Sequence, residues 1–290
     1  LMERKETMKL SLNEYLKNAG FTKAMLQTLD TLELMDEAYL THLFYMHKDA
    51  LFQHFEQYDE LLKYQLYLKF YTHLFYQRYL KAKTNQEAAL CLDGCKDLYE
   101  WAILCHHYFN VYGILPMMWM FLDRLIEGKI TRLGRLEFEP KAIDCEIRLP
   151  EIYLPKNSVL LNVHVPAGPR LTSADITDAY QQALHYFNGI VPIFHCSSWL
   201  LSPQLDECLD ESTRIMQFKK DYLIYSLEDN ADQFIERVWP DRENEASDYV
   251  NYEENTTLQK NAKQLLLSGR ILQKANGICI KYYHPESDNV

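Results

Sequence analysis

The chain has 290 residues, 48% of them hydrophobic and 13% aromatic, and its 30 lysines and arginines against 41 aspartates and glutamates give a formal charge of −11. That length and apolar content bury a core and exclude intrinsic disorder, while the negative field argues against nucleic acid and anionic membrane surfaces as partners. No apolar run is long enough to span a membrane, and the start, Leu1-Met2-Glu3-Arg4-Lys5-Glu6, lacks the apolar core of a secretion signal, so a cytoplasmic protein is expected.

Up to about residue 128 the pattern predicts helix almost throughout. Ser11 with Glu14 and Thr84 with Glu87 have the spacing of capping boxes, in which the hydroxyl accepts from a free backbone amide and the carboxylate returns a bond. Over residues 61–79, Leu62, Leu66, Phe70 and Leu74 recur at near-helical spacing and leave Lys63, Lys69 and Arg78 for water. Tyr67 and Tyr71 beside that stripe are read as core and rim rather than as a pocket. Cys91, Cys95, Cys105, His106 and His107 match no zinc spacing and are expected to project from different helix faces, so no metal is expected. The seven cysteines, odd in number and scattered, are read as reduced thiols.

At Gly128 the pattern changes to short alternating runs punctuated by Gly, Pro and Asn, which divides the chain into a helical domain, 1–128, and a second domain, 129–290. Strands are expected over 132–138 and 143–149, followed by a loop at Pro150, Pro155, Lys156 and Asn157. Val159, Leu161, Val163 and Val165 alternate with Leu160, Asn162 and His164, which predicts a central strand with one apolar and one partly polar side. A helix capped by Thr172 with Asp175 follows, burying Ile176, Ala179, Tyr180, Ala183, Leu184 and Phe187 and ending at Asn188-Gly189. An apolar run over 191–201 then completes a strand, loop, helix, strand unit, which is a parallel crossover. Further strands are expected within 214–225 and 231–239, a surface loop over 241–254, a helix over 257–268 stopped by Gly269, and a final strand within 271–282.

Several words of sequence occur in order through this second domain. They are Arg132-Leu133-Gly134-Arg135-Leu136-Glu137-Phe138-Glu139, then Val163-His164-Val165-Pro166 with Gly168-Pro169, then Cys196-Ser197-Ser198-Trp199-Leu200-Leu201-Ser202-Pro203-Gln204-Leu205, then Phe218, and finally Thr257-Leu258-Gln259-Lys260 leading to Ser268-Gly269. The set resembles the bacterial acyltransferases that join a helical N-terminal domain to a GNAT-like C-terminal domain. The resemblance implies an α+β fold, an all-helical N-terminal domain followed by a GNAT-like mixed β-sheet flanked by helices. It also implies acyl transfer from acyl-coenzyme A to an amine; a small-molecule amine or peptide acceptor is expected between the helical half and the sheet, since clefts between domains are the default place for small molecules, and no metal is expected. The usual pyrophosphate signature of that fold, Gln or Arg followed by two spaced glycines, is absent, Ser202 stands where many members have aspartate, and His195 precedes the cysteine rather than following it. A non-catalytic binding or scaffolding member is therefore the alternative.

In a GNAT fold the fourth and fifth strands run parallel and splay apart, and the acyl-pantetheine arm lies in the wedge. Mapped here, the wedge lies between residues 158–165, including Val163 and Val165, and residues 191–201. The helix beginning at Thr172 and Ser173 offers unpaired amides and a positive dipole end to the pyrophosphate, Gly168 lets the backbone approach an anion, and Arg170 adds a charge-assisted bond. His164, near the carboxyl end of the central strand, is the leading general base, with a structural histidine as the bland reading. Glu137 and Glu139 share one face of their strand and serve as base, amine anchor or solvated pair. Cys196 and Ser198 fall on one side of the next strand and can donate to the departing sulfur. Cys196 as nucleophile of an acyltransferase or hydrolase, activated by His164 or His195, is a third reading.

Overall fold

The computed structural model describes residues 9–150, 152–168, 171–188, 193–239 and 248–282. The chain divides into two compact units, one made mainly of residues up to Arg132 and the other mainly of residues from Leu133 onward. Among the described residues no helix is long and apolar enough to cross a membrane.

The first unit holds α1 (Leu12–Asn18), α2 (Lys23–Thr31), α3 (Glu37–Met46), α4 (Lys48–Phe55), α5 (Glu60–Lys81), α6 (Asn85–Phe109) and α7 (Trp119–Ile126). Ser11 and Glu14 close a complete capping box on α1. At the head of α6, Thr84 accepts from the Glu87 amide, but the Glu87 carboxylate takes the Lys83 amide instead of closing a box. The helix α5 is buried well beyond one stripe, with Tyr67, Tyr71 and Phe75 joining Leu66, Phe70 and Leu74 in the core. The three cations expected in water are all half-buried, and Lys63 pairs with Glu56 at 2.9 Å. Lys69 instead donates to the carbonyls of Leu29 and Leu32 at 2.9 and 2.5 Å, and Arg78 donates to the carbonyl of Leu125. The last carbonyls of a helix are unpaired and carry the negative dipole end, so these two cations are drawn to the ends of α2 and α7 rather than to solvent. Cys91, Cys95 and Cys105 also depart from expectation: they lie together on the buried face of α6 with Leu98, Trp101 and Ala102, spaced three and four residues apart.

The second unit begins at the end of β1 (Thr131–Leu133) and continues through β2 (Leu136–Ala142), β3 (Ile147–Leu149), β4 (Ile152–Leu154), β5 (Val159–His164), α8 (Ser173–Tyr186), β6 (Ile193–Ser198), α9 (Leu205–Cys208), α10 (Arg214–Lys220), β7 (Leu223–Glu228), α11 (Asp232–Val238), α12 (Thr257–Leu267) and β8 (Lys274–Ile280). Six strands form one sheet in the order β1-β2-β5-β6-β8-β7, and β3 with β4 makes a separate two-stranded ribbon. The architecture is thus helical first and then a mixed sheet flanked by helices, the α+β class read from the sequence.

Local differences from the sequence reading have local causes. The single strand expected over 132–138 is two strands, because Gly134 takes a left-handed φ of +62° and turns the chain. Only Ile147–Leu149 of the strand expected over 143–149 is extended, and part of the expected loop after it is the strand β4. The segment 214–225 opens as α10 before becoming β7. The segment 231–239 is a helix whose buried Phe234 and Val238 have the i, i+4 spacing of one helix face. Part of the loop expected over 241–254, Gly189 at the end of α8, and Arg170 lie outside the described residues.

Two layers cover the sheet unequally. On one face α8 buries Ile176, Ala179, Tyr180 and Ala183, and the rings of Phe138, Tyr180 and Phe194 meet edge to face with centroids 4.6–6.0 Å apart. On the other, Leu160, Ile193 and Ile278 pack with Ile143, Ile147 and the ribbon, and the remainder of that face is polar.

Candidate functional site

The centre of the sheet is where β5 and β6 meet. They run parallel, as the crossover through α8 requires, and pair at Leu161 with Phe194 and at Asn162 with His195. Beyond that rung both strands continue, β5 to His164 and β6 to Ser198, without pairing to each other. Each is held there by its outer neighbour, Glu137 of β2 opposite His164 and Ala275 of β8 opposite Ser198. The inner ladder therefore ends before the strands do. Facing backbone groups of Val163, Val165 and the end of β6 lie outside it, in the register that a splayed pair produces.

The loop after β5 passes through Gly168, whose φ of +124° suits glycine, and reaches α8. Thr172 and Asp175 form a full capping box: the hydroxyl of Thr172 accepts from the Asp175 amide, and the Asp175 carboxylate accepts from the amide and hydroxyl of Thr172 at 2.9 and 2.6 Å. Thr172 is thereby committed to the cap. Ser173, at the first helical position, presents one of the amides that no intrahelical carbonyl reaches. The cap holds the Asp175 carboxyl below its usual range through the Thr172 hydrogen bonds, so the helix head carries a negative charge of its own.

On the face away from α8, period-two alternation and the strand registers gather Glu137, Glu139, Asn162, His164, His195, Ser197 and Asn276. Hydrogen bonds run across them. Glu139 lies 3.3 Å from His164 Nε2, the Asn162 amide lies 3.0 Å from His164 Nε2 and 2.7 Å from His195 Nδ1, and His195 Nε2 lies 3.0 Å from the Tyr225 hydroxyl. Glu137 is fully buried directly opposite His164. Burial, with lesser help from Lys141, pulls the His195 pKa down to about 4, so its imidazole is neutral at pH 7. Burial, with Cys145 next, pushes Tyr225 up to about 12, so its hydroxyl keeps its proton. A neutral imidazole has one donor and one acceptor nitrogen, so Asn162 and Tyr225 must take complementary roles around His195.

The structure thus brings His164, Glu137 and Glu139 together and separates them from Cys196 and Ser198. The latter two alternate onto the α8 face, where Cys196 is 1% exposed. Burial and the neighbouring Cys279 push its thiol up to about 12, which leaves no thiolate at neutral pH. Ser198 caps the turn that follows it, accepting from the Leu200 amide at 3.1 Å. Sequence reasoning placed Asn162 on the right face but gave it no role. It considered His195 only as an activator of Cys196 and missed Tyr225 altogether. Tyr225 arrives through a bulge: β7 pairs Ile224 with Gly277 and Ser226 with Asn276, so Tyr225 is the extra residue, re-aimed over β8 toward β6.

A family model described as GNAT-like C-terminal domain matches residues 130–279. Solved structures share the fold over nearly the whole chain. An acyltransferase in complex with decanoyl-CoA and teicoplanin has a TM-score of 0.70 at 16% identity, covering 97% of this chain and 91% of that one. An acyltransferase mutant in complex with octanoyl-CoA has the same score and identity, covering 96% and 91%. No curated protein matches the sequence.

Proposed function

The chain belongs to the GNAT-like C-terminal domain family, and from that premise we propose that it transfers an acyl group from a coenzyme A thioester to an amine. The observation that carries this reading is the parallel β5–β6 ladder that stops at Asn162 and His195 while both strands run on. An extended acyl-pantetheine arm entering there would run beside Val163 and Val165, where β5 no longer pairs with β6. The head of α8, with Gly168 before it and the Ser173 amide on it, offers an anion unpaired backbone amides at the positive end of a helix of 14 residues, part of that field being offset by the Asp175 carboxylate. Solved acyltransferases of the same fold hold decanoyl-CoA and octanoyl-CoA.

In this reading residues 129–290 are the acyl-transfer domain and residues 1–128 a separate helical domain. His164, oriented by Glu139, takes the proton of the attacking amine as nitrogen bonds to the thioester carbonyl carbon. The carbon–sulfur bond then breaks, and the thiolate leaves and is protonated, giving an amide and free coenzyme A. Glu137, opposite His164, is the second carboxyl of the site, as base or amine anchor. Ser198 stands on the α8 face with Cys196, away from His164, and its oxygen accepts from Leu200, so it has no part in protonating the departing sulfur. Direct attack is favoured over a Cys196 acyl-enzyme, since that thiol is protonated and on the α8 face. The buried free thiols suit a reducing compartment, so we place the protein in the bacterial cytoplasm, acting on a small-molecule or peptide amine.

Calorimetric titration with coenzyme A and with acetyl-, octanoyl- and decanoyl-CoA tests the proposal. Binding heat for at least one thioester is expected. No heat and no thermal shift with millimolar ligand would remove it.

A further inference from the structure

A cavity of about 450 Å³ opens on the polar face of the sheet. Its floor is the last β5–β6 rung, Asn162 and His195, with Ser197 and Asn276 beside them. Its walls are the bulged Tyr225 on β7 and the segment from Lys141 to Cys145. Polar side chains predominate along it, with Ala142 and Ile143 supplying an apolar wall, so it suits a guest with polar groups on a short carbon frame. Its position fits the other reactant, since the rung that forms its floor is also the point where β5 and β6 part.

Charge decides what kind of guest. Two cations and two anions line the cavity, but they are not equally available. Glu228 is engaged by Lys274 at 2.8 Å and by the Asn276 amide at 2.7 Å. Asp144 belongs to the bend after β2, at the mouth. Lys141 makes no ion pair among the described residues and lies on the same strand face as Glu139. At the floor the cations prevail: after burial itself, Lys141 is the strongest influence holding His195 neutral, joined by His164 and Lys274 against Asp144 alone. With Lys274 taken by Glu228, Lys141 is the cation of the lining left to meet a small anion, and Asp144 the carboxylate left to meet a cation.

We propose that this cavity is the acceptor subsite, and that the acceptor is a small amine whose far end carries a carboxylate held by Lys141. The proposal rests on the acyl-transfer reading above. Lys141 pairs with Leu160, two residues before Asn162, so the anion position lies about 7 Å along the strands from the rung. That span matches an amine and a carboxylate separated by a short carbon chain. Asp144 at the mouth complements the ammonium form in which such an amine arrives. Ser197 and Tyr225 supply hydrogen bonds along the way.

The test uses the full chain with octanoyl-CoA and reads thiol release with four acceptors: 4-aminobutyrate, butylamine, 3-aminopropylphosphonate and glucosamine. The expected kcat/KM for 4-aminobutyrate exceeds that for butylamine by about tenfold, the worth of one charge-assisted hydrogen bond, and exceeds those for the phosphonate and glucosamine. Lys141→Glu should collapse the preference over butylamine and Lys141→Arg should retain it, with melting curves confirming that both variants fold. Equal use of butylamine, a higher rate with the phosphonate or glucosamine, or an unchanged preference in Lys141→Glu overturns the assignment. Saturation-transfer NMR of 4-aminobutyrate needs no acyl donor: contact with wild type and its loss in Lys141→Glu are expected, and no contact at 10 mM, a concentration about ten times the weak end of the usual KM range, overturns the subsite. Calorimetry with acyl-CoA reports on the acyl-transfer reading separately.

Discussion

His195 and Cys196 are neighbours on β6, and burial drives both toward their neutral forms on opposite faces of one sheet. His195 has a folded pKa of about 4, below its ordinary 6.5, so the unfolded chain binds this proton first as pH falls. Its contribution to stability is fully present above pH 6.5 and is lost as pH falls toward 4. The pKa difference corresponds to about 3 kcal/mol at most. Urea unfolding of wild type and His195→Gln at pH 7 and pH 4 should show wild type losing more stability than the variant. Equal losses would mean that His195 titrates normally. Cys196, with its thiol near 12, should resist iodoacetamide at pH 7, while the exposed Cys145 reacts. Peptide mass mapping after brief labelling checks this, and modification of Cys196 at a rate equal to Cys145 would restore the nucleophile reading. The same pair shows what sequence can disclose at this scale. Alternation puts His164 and Asn162 on one face and Cys196 on the face opposite His195, because strand period is local. Which strand lies beside which, and in what register, is set by distant partners, so the meeting of Asn162 with His195 was not legible.

Among the elements, helix α8 was read from its cap and its buried stripe, since both signals lie within one segment. Thr172→Ala should lower stability by about 1 kcal/mol through loss of the bond to the Asp175 amide, measurable as a fall in unfolding midpoint. The bulge in β7 and the helix α11 were not legible, the first because an unpaired extra residue leaves no periodic mark and the second because seven residues carry too few turns to show a helical period. In α5 the stripe was legible but its breadth was not, because tyrosine reads as a rim residue and here Tyr67 is fully buried. Its hydroxyl has no hydrogen-bond partner among the described residues, with its ring 3.8 Å from Trp119 between centroids. A buried hydroxyl left unpaired opposes folding, so Tyr67→Phe should stabilise the protein by about 1 kcal/mol. A lower melting temperature in that variant would show that the hydroxyl is satisfied after all. Gly277 behaves oppositely. A Cβ there would lie 3.0 Å from Leu201 Cδ1, 3.1 Å from Ile224 Cδ1 and 3.2 Å from Tyr222 Cβ, so Gly277→Ala should destabilise β8 by about 1–3 kcal/mol through overpacking.

For the molecule as a whole, net charge and local charge pull in different directions. A chain at −11 repels an incoming coenzyme A thioester, whose phosphates are anionic, over the range of its unscreened field. That range is about 30 Å at 0.01 M salt and about 8 Å at 0.15 M. The short-range contacts proposed at the head of α8 act only after the ligand has crossed that distance, so they govern departure more than arrival. Raising salt from 0.01 to 0.15 M should therefore speed acyl-CoA association severalfold, the reverse of a protein that steers its anionic ligand. A zwitterion such as 4-aminobutyrate has no net charge for the field to act on, and its association should hardly change. Stopped-flow measurement of tryptophan fluorescence, with four tryptophans in the chain, gives both rates on one sample. An acyl-CoA association rate that falls with salt would mean that a local positive field outweighs the acidic surface at long range, and the helix head or the lysine-lined recess would then act in capture as well as in retention.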